Sequence, residues 1–270
     1  MPFLYYSVMR NLPSSECGVY GLGRFGSFWA SLLAQRGSIK GYSRSSERET
    51  PPGVERVNED SLFACDTVFL CTSISSLEEV TSKLADKCKP GTLIIETCSV
   101  KVYPRTILQE KLPRNLHYLC THPMFGPDSG QGGVENLPFV VCEGRLPEKR
   151  KEAWINLFQS LGLRIIPMTA DSHDREAAYT QGITHFIGRV LKDLKLKKST
   201  ISTLGFQKLI EIIEQTCNDP WQLFLDLQHF NPYTLSMRKE LSNSLTKILT
   251  KLESNLDTQK MERYHINKME

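Results

Sequence analysis

Between an apolar run, Cys17–Tyr20, and an amphipathic stretch, Phe25–Arg36, stands Gly21-Leu22-Gly23-Arg24-Phe25-Gly26. Three glycines at that spacing constrain the chain more than any other feature it carries. The first permits a tight strand-to-helix turn, the second leaves the backbone open to a diphosphate, and the third lets helix and strand pack closely. The helix start then turns unpaired N–H groups toward an anion. Such a turn implies a βαβ unit, and the following residues agree. Short apolar runs at Ile39–Tyr42, Thr67–Cys71, Leu93–Thr97, His117–Cys120, Phe139–Cys142 and Arg164–Pro167 alternate with helix-length stretches at Ser75–Lys87, Tyr103–Lys111 and Glu148–Leu161. The expected fold class is α/β, with a Rossmann-like, doubly wound and mostly parallel sheet over residues 14–169.

After Ala170 the strand signal stops. Helical patterns cover Asp171–Leu194, Gly205–Gln215, Pro220–His229 and Tyr233–Leu256, so residues 170–256 are expected to form a second, all-helical domain, with a frayed tail over 257–270. Two domains suit a length of 270 residues. The helical part is too small to bury Ile183, Phe186, Ile187, Val190 and Leu191 by itself, which predicts a homodimer through that domain.

Composition narrows the partners. Lys+Arg 33 against Asp+Glu 30 gives a net charge of +3, with no polybasic module to bind nucleic acid or a membrane surface. No apolar run approaches the length of a membrane span. Met1–Val8 is apolar but lacks a basic lead and a cleavage pattern, and reads as an untargeted flap. The 8 cysteines form no C-x-x-C pair. They read as reduced thiols in a cytoplasm and not as a disulfide framework or metal site.

About 20 residues beyond the glycine turn, where an acidic residue would hold the ribose hydroxyls of NAD, the chain carries Ser43-Arg44-Ser45. A carboxylate would repel a 2′-phosphate, whereas Arg44 can pair with one and the flanking serines can add donors. NADP is the expected cofactor. The competing reading of Arg44 is a solvated loop arginine.

In parallel sheets chemistry gathers beyond the carboxyl ends of the strands. Three such places stand out: Cys71-Thr72-Ser73, expected against the cofactor; Cys98-Ser99-Val100-Lys101; and Thr121-His122-Pro123-Met124-Phe125-Gly126-Pro127. The last is expected to hold His122 in a turn at the sheet edge, where an imidazole titrating near neutrality can act as a general base. The plainer alternative is a structural turn histidine. Ser99 can equally be a helix N-cap before Val100-Lys101, and the part of Lys101 stays open between a cofactor contact and a structural one.

The segment from Thr67 to Phe139, with C-T-S-I, C-S-V-K and C-T-H-P-M-F-G-P-D-S-G, resembles the prephenate/arogenate dehydrogenases of tyrosine biosynthesis, and among them the plant-type arogenate branch. The resemblance runs on through Gln181-Gly182-Ile183-Thr184-His185, Gly188-Arg189-Val190-Leu191, Thr203-x-Gly205-Phe206 and Glu214-x-Thr216-x-x-Asp219. It implies oxidative decarboxylation of a cyclohexadienol, driven by aromatisation, in which positioning and one base suffice. By the same match, His122 takes the ring hydroxyl proton, and Ser99 bonds that hydroxyl or orients His122.

Gln181 and His185 lie four residues apart on one helix, with Thr184 beside them and Gly188 expected to leave open space over that face. The resemblance makes these three, with Thr203, substrate contacts; His185 can otherwise be a satisfied core histidine. His117, His173, His229 and His265 have no comparable setting. The arginine clamp of many bacterial members is absent, with Glu211 near its place and Lys208, Arg189 and Arg238 as conceivable substitutes. Asp219 matches the acid that meets the ammonium of arogenate, and also reads as an N-cap ahead of Pro220. Arogenate is slightly preferred over prephenate. No mutase or regulatory module is expected. Rival readings are another NADP oxidoreductase of the β-hydroxyacid dehydrogenase or imine reductase type, and a non-catalytic NADP-binding sensor.

Overall fold

The structure, a computed structural model, describes residues 12–254, so the N-terminal flap and the 257–270 tail lie outside the described residues. One sheet holds eight strands: β1 (Cys17–Tyr20), β2 (Ile39–Tyr42), β3 (Val54–Arg56), β4 (Thr67–Leu70), β5 (Leu93–Glu96), β6 (His117–Pro123), β7 (Pro138–Arg145) and β8 (Arg164–Pro167). Their order is β3-β2-β1-β4-β5-β6-β7-β8, and every neighbouring pair is parallel except β6 with β7. The chain winds outward from β1 in one direction and resumes at β4 in the other, so the reversal opens a crevice at the carboxyl ends of β1 and β4.

Every residue of β1, β4 and β5 is buried, as in strands covered on both faces. Alternation sorts their side chains. Val19, Phe69 and Ile95 pack with Trp29 of α1 (Arg24–Ala34) and with Trp154 and Phe158 of α6 (Glu148–Ser160). Tyr20, Val68, Leu70 and Ile94 face the opposite layer, where Leu62 of α2 (Glu59–Phe63), Leu84 of α3 (Leu77–Lys87) and Leu108 of α4 (Val102–Lys111) meet them. Each such side chain contributes about 1.5–3 kcal/mol by leaving water.

The short elements β3, α2 and α5 (Pro127–Gly130) were not legible, because three to five residues carry too little periodicity to register. The run expected to stop at Cys120 continues to Pro123. After a register shift between Leu119 and Thr121, residues Thr121, His122 and Pro123 pair with Val141, Val140 and Phe139. His122 therefore sits at the end of an interior strand and not in a turn at the sheet edge.

The second half is helical: α7 (Ala170–Ala177), a π turn (Ala178–Gly182), α8 (Ile183–Asp193), α9 (Leu204–Cys217), α10 (Trp221–Phe230) and α11 (Thr234–Ser254). Leu227 of α10 enters the core on the α3/α4 face, which seats this half against the sheet domain. Instead of the single helix expected over Asp171–Leu194, a π turn divides α7 from α8, and the carbonyl of Gly182, its last residue, accepts a bond from Gln228 Nε2 at 2.8 Å. Among the described residues no helix is long and apolar enough to cross a membrane.

Gly188 does not leave open space. A Cβ there would stand 2.0 Å from Thr216 Oγ1, so this glycine lets α8 and α9 cross closely. Gly188→Ala is expected to lower stability by about 1–3 kcal/mol in urea unfolding, and adding Thr216→Ala, which removes the clashing oxygen, should restore part of the loss.

Candidate active site

The glycine turn has the geometry its spacing implies. Gly21 adopts φ +104°, where a side chain would be strained, and a Cβ there would meet the Cys71 carbonyl oxygen at 2.5 Å. A Cβ on Gly26 would lie 1.8 Å from the Gly21 carbonyl oxygen, whereas one on Gly23 would meet nothing within 4 Å. Close packing at two positions and open space at the third form a cradle before α1, whose N-cap, Gly23, supplies no side-chain cap. The first-turn N–H groups are thus available to phosphate oxygens. A cleft of about 300 Å³ runs from this cradle along Ser43, Arg44 and Ser45 on one side and Cys71, Thr72 and Ser73 on the other. The open cradle, the uncapped helix start and the hydroxyl and guanidinium donors along the cleft fit a dinucleotide.

Arg48, which the sequence reading passed over, also lines the cleft. Arg56, on β3, donates to the carbonyls of Ser43, Ser45 and Arg48 at 3.2, 2.7 and 2.7 Å, and so holds the loop that carries these side chains. The side chains of Arg24 and Phe25 are engaged elsewhere, which leaves their backbone N–H groups to the cradle. Arg24 grips Asp128 with two bonds of 2.8 Å and lies 3.4 Å from Asp219, while the Phe25 ring packs on Phe28 and Trp29.

One strand over from β5, His122 is 3% exposed. Its Nδ1 lies 2.8 Å from Nε2 of His173, whose own Nδ1 lies 2.8 Å from Asp174 Oδ1. Burial holds the His122 pKa well below the usual histidine range, with the His173 ring and then the Lys101 ammonium adding to the effect. The ring is therefore neutral near pH 7. His173, set aside on the sequence, is in fact its immediate partner. A His-Asp dipeptide one turn into a helix at the domain junction was the available signal.

Lys101 is wholly buried, paired with Glu96 and bonded to the Thr121 carbonyl. Burial opposes its charge, but the Glu96 carboxylate prevails and its pKa is raised. Its role is structural: it ties the ends of β5 and β6 together. Ser99 is not a helix cap. The α4 helix starts after Lys101, and the N–H groups of Lys101 and Val102 donate to Asp174 at 2.7 and 2.8 Å.

Ser99 Oγ is instead buried without a partner, as are Thr72 Oγ1, Gln181 Oε1 and His185 Nδ1. Unsatisfied buried groups are uncommon in native folds, and these four belong to residues singled out on the sequence. Burial, then Arg189, pushes the His185 pKa down to about 4, so His185 is a neutral donor or acceptor. Thr184 turns its hydroxyl back to the Thr180 carbonyl at 2.8 Å, and the exposed Thr203 caps α9 by accepting from Phe206 N at 3.2 Å.

Asp219 does not cap α10; Pro220 occupies that position, and burial raises the Asp219 pKa despite the nearby Arg24. The three clamp substitutes all have partners: Lys208 pairs with Glu211 at 2.8 Å, Arg189 donates to the Thr216 and Asp219 carbonyls, and Arg238 donates to Gln228.

Residues 31–166 match the family described as prephenate dehydrogenase, nucleotide-binding domain. The chain is 34% identical over 256 residues to arogenate dehydrogenase 1, chloroplastic, of Arabidopsis thaliana, covering 90% of this chain and 40% of that protein. The chain belongs to the prephenate/arogenate dehydrogenase family. Arogenate dehydrogenase 2, chloroplastic, of the same plant is 31% identical over 94% of this chain and 74% of its own length. The chain thus spans less than half of the first relative and about three quarters of the second. The fold matches the crystal structure of prephenate dehydrogenase from A. aeolicus in complex with hydroxyphenyl propionate and NAD+, with a TM-score of 0.67 at 16% identity over 94% of this chain and 97% of that one. Residues 190–264 also match the family described as TYRAAT1-like, C-terminal domain.

The buried ion pair yields a stability test. Lys101→Met strands the Glu96 carboxylate and should cost about 3–5 kcal/mol in chemical unfolding, while Lys101→Met with Glu96→Gln should recover much of it.

Proposed function

We propose that this chain is an NADP-dependent dehydrogenase that oxidatively decarboxylates arogenate to tyrosine, with prephenate as the nearest alternative substrate. The observation that carries the reading is a neutral, buried His122 at the carboxyl end of β6, tied through Nδ1, with the unpartnered Ser99 hydroxyl on the loop after the neighbouring β5. When bound, the nicotinamide accepts a hydride from the ring carbon that bears the hydroxyl.

His122 Nε2 takes the hydroxyl proton as that carbon becomes a carbonyl, and Ser99 holds the oxygen in place. Loss of the ring carboxylate as carbon dioxide then delivers its electron pair into the ring. The carbonyl becomes a phenolate, to which His122 returns the proton, so the base ends the cycle as it began. Gln181 and His185, neutral and unsatisfied within the helical half, are suited to the polar groups of the substrate. Because Asp219 is not used as a helix cap, its carboxylate remains a candidate for the ammonium of arogenate, although it shares Arg24 with Asp128. The two plant relatives carry the name arogenate dehydrogenase, which supports the same choice.

For the cofactor, Arg44 and Arg48 flank the cleft with no carboxylate partner among the described residues, as a 2′-phosphate site requires. All 8 thiols are free, which supports residence in a reducing compartment.

Purified protein should oxidise arogenate with NADP faster than in the three other pairings of arogenate or prephenate with NADP or NAD. Arg44→Ala should raise the KM for NADP at least tenfold and leave that for NAD nearly unchanged. Equal effects would remove the NADP assignment, and cofactor binding with no turnover of either substrate would leave a sensor.

The helical half also supports a homodimer. Val190, Leu194, Leu204 and Trp221 are exposed, and Leu245, Ile248, Leu249 and Leu252 form an exposed stripe on α11, the i, i+3, i+4, i+7 pattern of a face that seeks cover. Sedimentation at micromolar concentration should give twice the chain mass of 30.7 kDa.

A further inference from the structure

Asp174, wholly buried, accepts three N–H groups: Lys101 N at 2.7 Å, Val102 N at 2.8 Å and His173 Nδ1 at 2.8 Å. The two backbone donors leave no choice of polarity there, so the carboxylate is an acceptor and His173 must carry its proton on Nδ1. A neutral His173 then presents Nε2 as a lone pair. The 2.8 Å contact to His122 Nδ1 is satisfied only if His122 is the donor. The consequence reaches the far nitrogen: His122 Nε2 is left bare and able to take a proton.

We propose that His173 and Asp174 are positioning residues that fix the tautomer and orientation of His122, making it a base at Nε2. This rests on the reading of His122 as the proton acceptor. The same carboxylate fixes the start of α4, two residues beyond Ser99, so one buried charge holds both groups that face the substrate hydroxyl. When His122 becomes cationic, the charge stands beside a chain of bonds that ends on Asp174. Lys101, the other cation near His122, is already matched by Glu96. Both positioning residues come from α7, so the base is competent only when the helical half is docked on the sheet.

Two substitutions separate this role from packing. In Asp174→Asn one oxygen becomes an NH2: at the Oδ1 place it faces His173 and the Lys101 amide, and at the Oδ2 place it faces the Val102 amide. Either orientation removes the charge that backs the His173–His122 chain, and the first also reverses the His173 tautomer and places the His122 proton on Nε2. The kcat/KM is expected to fall about 10³- to 10⁴-fold, as when the orienting carboxylate of a catalytic histidine becomes an amide, with NADPH binding by fluorescence unchanged. His173→Gln offers an oxygen to the His122 Nδ1–H and should stay within about tenfold of wild type, whereas His173→Leu should lose at least about 100-fold in kcat with little change in KM.

Nitrogen-15 NMR of histidine-labelled full-length protein reads the tautomers without any turnover. The expected wild-type spectrum has the His122 proton on Nδ1. A proton on His122 Nε2 in the wild type, or a folded Asp174→Asn protein within threefold of wild-type kcat/KM, would overturn the proposal. If Asp174→Asn does not fold, equal activities of His173→Gln and His173→Leu would overturn it instead. A wild type that turns over neither substrate would refute the dehydrogenase reading while leaving the NMR result to decide the tautomer.

Discussion

A carboxylate taken out of water must be repaid by its partners, and in this protein the Asp174 carboxylate has three N–H donors. Two belong to the first turn of α4, where the unpaired N–H groups of a helix start favour negative charge, and the third is the ring of His173. The residue's own carbonyl accepts from Asn231 Nδ2 at 2.8 Å. This one residue therefore joins α7 to the start of α4, through His173 to the end of β6, and through its carbonyl to the link between α10 and α11. Removing it would leave donors on both halves unpaired, each at about 1–3 kcal/mol. The junction between the halves and the orientation of the histidine follow from the same contact.

Beside it lies a second buried charge pair with a different task. Lys101 and Glu96 span the ends of β5 and β6, and Glu96 also accepts the Cys98 amide at 2.8 Å. Such a pair adds little net stability over an apolar replacement but penalises any arrangement that breaks it. Here it sets where the loop bearing Ser99 leaves the sheet. The contrast is with Ser99, Thr72, Gln181 and His185, which have buried polar atoms without a partner, as do residues away from the cleft such as Trp29, Thr81 and Trp154: the charges that build the site are saturated by the chain, and these four groups in it are not.

The sheet domain was largely legible because its signals are local. Four-residue apolar runs, a glycine turn and the Ser43-Arg44-Ser45 loop each report their own surroundings, and they locate the cleft that Gly21, Gly23, Arg44 and Thr72 line. The helical domain was legible in outline only. A single amphipathic pattern could not reveal the π turn before Ile183, since one added residue barely alters the periodicity, and Gly188 looked like a gap because Thr216 lies 28 residues further along the chain.

Sequence alone determined the βαβ winding and the position of the dinucleotide cradle, because each depends on residue type at short spacing, and the family resemblance singled out His122 and Ser99 for the site proposed here. Tertiary structure alone decided what holds His122. Its partner His173 is 51 residues away and has no setting in the sequence that marks it out. Only the docking of α7 on β6 withdraws that pair from water, and a buried hydrogen bond of this kind depends on where the chain folds back and not on what lies beside it in sequence.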